Sequence, residues 1–193
     1  VIGIPRVLNM YENYPFWFTF FTELKFKVML SPPSSKSIYE KGMETISSDT
    51  ACYPAKLVHG HIKWLTENGA KWIFYPCLNY ERNEDETAPN HYNCPIVATY
   101  PEVIANNMNE AFFEAGVTFT HEFLPYDNDK RLTRRMAEVL KEKDISEREI
   151  REAITEARKE QEKFKADVQA KGEEALQYAK EHGKKAVVLS GRP

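Results

Sequence analysis

The sequence predicts an α/β fold in which a parallel sheet is flanked by helices and followed by a long, charged helical segment. Short apolar runs alternate with longer amphipathic segments over residues 1–126, which also carry nearly all of the aromatic residues. Strands that alternate with helices form βαβ units, whose strands pair in parallel through right-handed crossovers. Because the composition becomes highly charged after residue 126, we divide the chain into an α/β domain at 1–126, a helical extension at 127–185 and the start of a following domain at 186–193.

Each predicted element is bounded by residues that start or stop regular structure. Pro15 and Pro54 have the backbone angle of a first helical turn, whereas Gly69 and Gly116 are typical residues at helix ends. Apolar runs between these boundaries predict strands. In chain order, strands are predicted at residues 1–8, 26–30, 72–75, 96–99 and 117–124, and helices at 16–24, 35–41, 54–68 and 101–113. The first of these helices has almost no polar face, which is typical of a helix buried on both sides.

The charged extension is predicted to form one long helix. Ser146 followed by Glu149 is a capping box, and the helix that it opens can continue to His182. The apolar residues of this helix recur every three or four positions and form a single stripe, which is interrupted at Gln161 and at Lys171-Gly172. A narrow stripe of this kind favours a bracing helix or a hairpin arm over a core element.

The composition restricts the classes of partner. The formal net charge is −3, with acidic and basic residues interspersed, so we expect small molecules or proteins as partners rather than nucleic acid. Since there is neither an apolar run of about 18 residues nor a leader sequence, we expect no membrane span and no signal peptide. Three cysteines without a secretion signal are typical of the reducing cytoplasm, where we place the protein. Both ends break off inside or just after apolar, strand-like runs, which predicts a piece of a longer polypeptide.

Cys52 is predicted to lie where a loop enters a helix. It follows the helix-capping residues Ser48, Asp49 and Thr50 and precedes Pro54, a residue typical of a first helical turn. The free backbone N–H groups and the positive dipole at a helix N-terminus favour the thiolate, which is the form that binds metal. This stretch is therefore the leading candidate for chemistry.

The two other cysteines have different relations to the predicted sheet. Cys77 follows the third predicted strand, which places it at the carboxyl edge, where α/β folds bind ligands. Cys94 precedes the predicted strand at 96–99, and at about 3.3 Å per residue it would lie roughly 13 Å from that edge. Either the long loop at 79–92 returns Cys94 over the sheet to that edge, or the strand assignment at 96–99 is wrong.

Three thiolates fit more than one kind of site. They suit a cubane 4Fe–4S cluster with one iron left for a non-protein ligand, or a four-coordinate zinc site if His91 supplies the fourth ligand. The cysteine spacing matches no compact zinc or ferredoxin motif, so a third interpretation is a docking lobe whose cysteines are packed apart. Thr50 and Lys56 are candidates for cofactor contacts, since Thr50 lies near Cys52 in sequence and Lys56 is four residues beyond it on the same helix face.

Two further features limit the chemistry. His59 and His61 lie two positions apart on a helix, so they point to different sides and do not face one metal ion. The sequence contains no glycine-rich phosphate loop and no nucleophile elbow. We therefore expect no ATP hydrolysis within this segment.

Several motifs resemble a domain found in the large activase proteins of 2-hydroxyglutaryl-CoA dehydratase. The resemblance covers essentially the whole chain and is most specific around Cys52 and Cys94. The segments that carry it are Ile2-Gly3-Ile4-Pro5-Arg6-Val7-Leu8, Ser48-Asp49-Thr50-Ala51-Cys52-Tyr53-Pro54-Ala55-Lys56, Phe74-Tyr75-Pro76-Cys77 and His91-Tyr92-Asn93-Cys94-Pro95-Ile96-Val97.

The resemblance implies a relation to 2-hydroxyacyl-CoA dehydratases and double-cubane cluster proteins. In those proteins, Rossmann-like lobes hold 4Fe–4S clusters with few cysteines, and an ATP-dependent activase supplies low-potential electrons. By motif, the cluster ligands in this sequence would be Cys52, Cys77 and Cys94. The implied partners are other domains of the same polypeptide, ATP-dependent activase lobes and an acyl-CoA substrate, and we expect the isolated segment to be inactive by itself.

Overall fold

The structure is a computed structural model that describes residues 1–189. Its sheet has four parallel strands in the order β2-β1-β3-β4. The strands are β1 (Ile2–Ile4), β2 (Val28–Leu30), β3 (Trp72–Phe74) and β4 (Thr118–Thr120). The direction of strand addition reverses between β1 and β3, because β2 lies on one side of β1 while β3 and β4 lie on the other. In sheets of this kind, ligands bind beyond the carboxyl ends of the strands at the point of reversal.

Helices cover both faces of this sheet. Right-handed crossovers place α1 on one face and α3 and α4 on the other, and α6 and α7 pack on the α1 side. The helices in the described part of the chain are α1 (Asn9–Glu23), α2 (Lys36–Gly42), α3 (Tyr53–Glu67), α4 (Pro95–Asn107), α5 (Asn109–Ala115), α6 (Asp129–Val139) and α7 (Glu147–Glu181). This architecture confirms the predicted Rossmann-like α/β fold with a long C-terminal helix. Within residues 1–189, no helix is both long and apolar enough to cross a membrane.

Aromatic side chains fill the layer between α1 and the sheet. Phe16, Trp17, Phe20 and Phe21 of α1 are fully buried, as expected for a helix with almost no polar face. The Trp17 ring lies 4.8 Å from the ring of Phe74 in β3. Burying one such side chain contributes about 1.5–3 kcal/mol, so this layer is a major source of stability.

The strand predicted at residues 96–99 is wrong. These residues belong to α4, which begins at Pro95 and has Cys94 as its N-cap. A short apolar run bounded by proline has no periodicity that separates a buried strand from one face of a helix. Cys94 therefore lies at the amino end of a helix, not of a strand. Because this helix returns from the carboxyl edge of the sheet, Cys94 lies at that edge. The helix predicted at 101–113 is accordingly divided between α4 and α5.

Pro15 does not start a helix but lies inside α1, which begins at Asn9. A proline within a helix interrupts the ladder of backbone hydrogen bonds, and here the side chain of Gln161 from α7 fills the gap. The Phe16 backbone N–H donates to Gln161 Oε1 over 3.1 Å, and Gln161 Nε2 donates to the Glu12 carbonyl oxygen over 2.9 Å. Gln161 is therefore buried because it completes the hydrogen bonds of another helix.

The first half of α7 is a core element, contrary to the expectation of a bracing helix alone. Its buried residues are Ile150, Ala153, Ile154, Ala157, Arg158 and Gln161. The Arg158 guanidinium lies 4.3 Å from the ring centroids of both Phe16 and Tyr126, and its Nε donates to Asp129 Oδ1 over 3.0 Å. Beyond Gln161 the helix is mostly exposed. The predicted domain boundaries at 126 and 185 stay predictions, and Ser190 to Pro193 of the predicted following domain lie outside the described residues.

We expect Gln161→Leu to lower the free energy of unfolding by about 2–4 kcal/mol, because one buried and one partly buried backbone group of α1 lose their partners. Urea denaturation followed by circular dichroism measures this change. Gln177→Leu is the matched control, since Gln177 is exposed on the same helix, and it should change stability by less than about 0.5 kcal/mol. Equal losses in the two variants would contradict the role of Gln161.

Candidate functional site

Cys52 and Cys94 occupy equivalent positions on two neighbouring helices. Each is the N-cap of its helix, and their backbone angles are nearly identical, with φ −62° and ψ 153° at Cys52 and φ −63° and ψ 153° at Cys94. A proline follows in the first turn of both helices. Cys94 Sγ accepts a hydrogen bond from the Val97 backbone N–H over 3.4 Å. Both cysteines are exposed, so the amino ends of α3 and α4 present two accessible sulfur atoms beyond the carboxyl edge of the sheet.

Cys77 lies past the end of β3, as predicted, and is fully buried. It pairs with Phe123 in a parallel bridge that extends the β3–β4 pairing. Burial raises the pKa of the Cys77 thiol to about 12, and the nearby Glu102 and Glu122 carboxylates act in the same direction. Without a bound cation this thiol is protonated at neutral pH, so a metal that binds it must displace the proton.

The buried hydroxyl of Tyr75 interacts electrostatically with all three cysteines. It lies two residues before Cys77, which puts the two side chains on the same face of an extended segment, and its buried hydroxyl has no hydrogen-bond partner within the described residues. Burial raises the pKa of Tyr75 well above its ordinary value of 10, and electrostatic interactions with Cys77, Tyr100, Cys52 and Cys94 act in the same direction. All three cysteines therefore lie within electrostatic reach of this hydroxyl. The sequence carries a signal for Tyr75, namely its spacing of two residues from Cys77 at the end of a predicted strand.

The two histidines of α3 point to different sides, as the sequence predicted. His59 is buried between Thr45 Oγ1, which lies 2.9 Å from its Nδ1, and the Tyr100 hydroxyl, which lies 3.0 Å from its Nε2. His61 is buried on the opposite side, with Nδ1 2.7 Å from Ser31 Oγ. Each histidine therefore joins α3 to a different neighbouring segment, and neither faces a shared metal position.

Thr50 and Lys56, the other predicted contacts, order the loop before α3. The Thr50 hydroxyl is 2.8 Å from Ser48 Oγ, and Lys56 Nζ donates to the Asp49 carbonyl oxygen over 2.8 Å. These bonds hold the backbone that leads into Cys52. A direct contact of either side chain with a cofactor stays a prediction.

The protein donors do not form a closed metal site. In the part of the chain that the structure describes, no group of three or more His, Cys, Asp or Glu side chains is arranged to hold a metal ion. The His91 ring instead lies 5.4 Å from the ring of Tyr80. Among residues 1–189, neither the three cysteines alone nor the cysteines with His91 have preformed metal-binding geometry.

We expect His61 to make stability depend on pH. Burial, together with the positive charge of Arg6, lowers the pKa of His61 from 6.5 to about 4. As pH falls from 6.5 toward 4, His61 takes up a proton in the unfolded chain but stays neutral in the folded chain. The contribution of the neutral imidazole to folding stability is therefore fully present above pH 6.5 and is lost as pH falls toward 4.

The expected loss from this one group between pH 7.5 and pH 5 is about 2 kcal/mol. Urea titrations at the two pH values should therefore show a smaller decrease for His61→Gln than for the unmodified chain. The control is His182→Gln, because His182 is exposed, and this variant should retain the full decrease. An unchanged pH dependence in His61→Gln would show that His61 titrates equally in both states.

The comparisons with known proteins agree with the resemblance of the cysteine motifs. A family model described as the CoA enzyme activase uncharacterised domain matches residues 1–193. Searches of the curated proteins and of the solved structures gave no match. Since the family model spans the whole sequence, this chain belongs to the CoA enzyme activase uncharacterised domain family.

Proposed function

We propose that this domain binds an iron–sulfur cluster through Cys52, Cys77 and Cys94 and relays low-potential electrons in a CoA-ester dehydratase or activase system. The observation that supports the proposal is that three cysteines from three separate segments lie within electrostatic reach of the buried, unpartnered Tyr75 hydroxyl. They lie beyond the carboxyl edge of a parallel sheet, which is the usual ligand position in such folds. Membership in the CoA enzyme activase domain family supports the CoA-ester context.

The donor set fits a cluster better than a single zinc ion. A closed zinc site requires four protein ligands around one point, and the three cysteines supply only three of them. Residues 1–189 show no preformed group for either kind of metal, so the comparison rests on the number of ligands that each one needs. A 4Fe–4S cluster held by three thiolates needs no fourth protein ligand, and when bound it supplies one-electron transfer. Two of the three cysteines are exposed, so a non-protein ligand has access to the site from solvent.

Two of the three cysteines lie at helix N-termini. Cys52 and Cys94 each cap a helix, where backbone N–H groups and the helix dipole stabilise negative charge. Cys94 already accepts one such N–H bond, from Val97. Cys77 differs, because burial holds it as a neutral thiol until a cation is present. Loading of the site is therefore coupled to the release of the Cys77 proton.

Tyr75 has the role of a hydrogen-bond donor to the ligand sulfurs. Its hydroxyl is buried and neutral, and within residues 1–189 no group accepts a hydrogen bond from it. Hydrogen bonds to sulfur stabilise the more negative, reduced form and raise the reduction potential. Tyr75 is a positioning residue in this proposal, since it tunes the site without being a ligand.

The test of the proposed function is metal and sulfide analysis of protein purified without oxygen. We expect iron and acid-labile sulfide near four per chain, with a broad charge-transfer absorption that is lost in Cys52→Ser, Cys77→Ser and Cys94→Ser. Ser47→Ala, in the exposed loop before Cys52, is the control and should retain both. Iron missing after anaerobic reconstitution would contradict the proposal and favour the docking-lobe interpretation, whereas zinc would favour a site closed by a fourth protein ligand.

A second experiment addresses Tyr75 alone. We expect Tyr75→Phe to keep the full iron content and to move the midpoint potential to a more negative value, because the variant removes only the hydroxyl donor. A difference of about 1 kcal/mol between the two oxidation states corresponds to roughly 40 mV for one electron. Tyr178→Phe, on the exposed half of α7, serves as the control. A potential that Tyr75→Phe leaves unchanged would exclude the hydrogen bond.

A further inference from the structure

A groove with a cavity volume of about 550 Å³ opens at the carboxyl edge of the sheet and is lined by Phe123, the residue that pairs with Cys77. One wall is formed by α6, and the other by the segments that follow β3 and β4. Its volume is in the range of small-molecule sites, roughly 300–1,000 Å³. Neither the cysteines nor the proposed electron transfer accounts for this groove.

The α6 wall is basic. Arg131, Arg134 and Arg135 are spaced by three and four residues, so they share one face of the helix and all line the groove. Arg135 pairs with Glu138, but within residues 1–189 no acidic side chain pairs with Arg131 or Arg134. Two guanidinium groups of α6 therefore line the groove without an acidic partner among the described residues.

Asp127 and Glu138 also line the groove, so its charge is not uniform. Glu138 is occupied by Arg135, which leaves the guanidinium groups of Arg131 and Arg134 as the donors for a ligand. Guanidinium groups donate paired hydrogen bonds that match the oxygen atoms of phosphate. The basic wall thus fits a phosphorylated ligand.

The opposite wall is aromatic. Tyr80 and Phe123 line it and are 37% and 45% exposed. The Tyr80 ring is held against Tyr92, with 4.6 Å between the ring centroids, and against His91. Exposed aromatic faces of this kind stack on flat ring systems such as nucleobases.

The groove shares its backbone with the cysteine segments. Phe123 pairs directly with Cys77 in the parallel bridge, and the Asn79 carbonyl oxygen accepts a hydrogen bond from the backbone N–H of Asn93, the residue before Cys94. A ligand in the groove therefore lies next to the segments that carry Cys77 and Cys94.

We propose that this groove binds a nucleotide, with the phosphates on Arg131 and Arg134 and the base against Tyr80 and Phe123. The same chemistry is offered by a free nucleotide and by the nucleotide portion of coenzyme A. The inference does not require the cluster, because every group that it uses belongs to the groove wall. If the ligand is coenzyme A, the groove holds the nucleotide end of the thioester substrate of the proposed function.

Isothermal titration calorimetry of the 193-residue chain tests this inference, with CoA, ADP, adenosine and inorganic phosphate as probes. We expect CoA or ADP to bind with a dissociation constant below about 1 mM. The double variant Arg131→Gln/Arg134→Gln should weaken that binding by about tenfold or more, because charge-assisted hydrogen bonds to phosphate are lost. Tyr80→Ala should weaken nucleotide binding while leaving the binding of inorganic phosphate unchanged. The control is Arg148→Gln, since Arg148 lies on α7 away from the groove and pairs with Glu152.

The probes separate the two sources of the ligand. CoA binding at least about tenfold tighter than ADP supports the groove as a coenzyme A site, and equal binding of the two supports a free nucleotide. Three outcomes overturn the inference: no heat with either nucleotide at millimolar concentration, affinities that the double arginine variant leaves unchanged, or inorganic phosphate binding as tightly as ADP. Since binding is measured on apoprotein, iron that fails to bind would reject the cluster proposal and leave this result intact.

Discussion

The position of α3 is the constraint on which the rest of the site depends, and three consecutive residues of this helix establish it. Gly60 lies against the backbone of α2, where an added Cβ atom would overlap the Ile38 carbonyl oxygen. The residues on either side bond in opposite directions, His59 to Tyr100 of α4 and His61 to the segment after β2. Because burial keeps both imidazoles neutral, they form these bonds without introducing a buried charge. The amino ends of α3 and α4 are thereby held side by side, which brings Cys52 and Cys94 to the same edge of the sheet.

The candidate site combines two contrasting environments. The helix ends expose two sulfur atoms to solvent and to backbone N–H donors, whereas Cys77 and Tyr75 are enclosed by the core. A buried hydroxyl without a partner has a free-energy cost of about 1–3 kcal/mol, and such a cost is more readily understood at a binding site than in a packing layer. The arginine and aromatic groove begins where Phe123 pairs with Cys77. Redox chemistry and substrate binding would therefore share one edge of a single sheet.

Two buried polar residues of α7 bind this helix to the rest of the fold. Gln161 interrupts the apolar stripe of α7 because it completes the backbone hydrogen bonds that Pro15 disturbs in α1. One turn earlier, Arg158 is buried between two aromatic rings and bonds to Asp129 of α6. These contacts attach the first half of α7 to the α/β domain, while the second half extends into solvent. The long helix is consequently both a core element and a projecting arm.

The sequence by itself determined the α/β class, the four strands of the sheet, the capping box of α7 and the helix N-terminus at Cys52. These features are local, because they follow from periodicity, from proline and glycine, and from capping residues within a few positions. The sequence could not determine that residues 96–99 are helical, since a short apolar run packs equally well in a strand or on one face of a helix. It also could not indicate that Gln161 bonds to the backbone of α1, because Gln161 and Phe16 are 145 residues apart along the chain. Only the tertiary structure brought Cys52 and Cys94 within electrostatic reach of Tyr75 and placed α6 opposite Tyr80, because these proximities arise from the packing of helices onto the sheet and have no local signature.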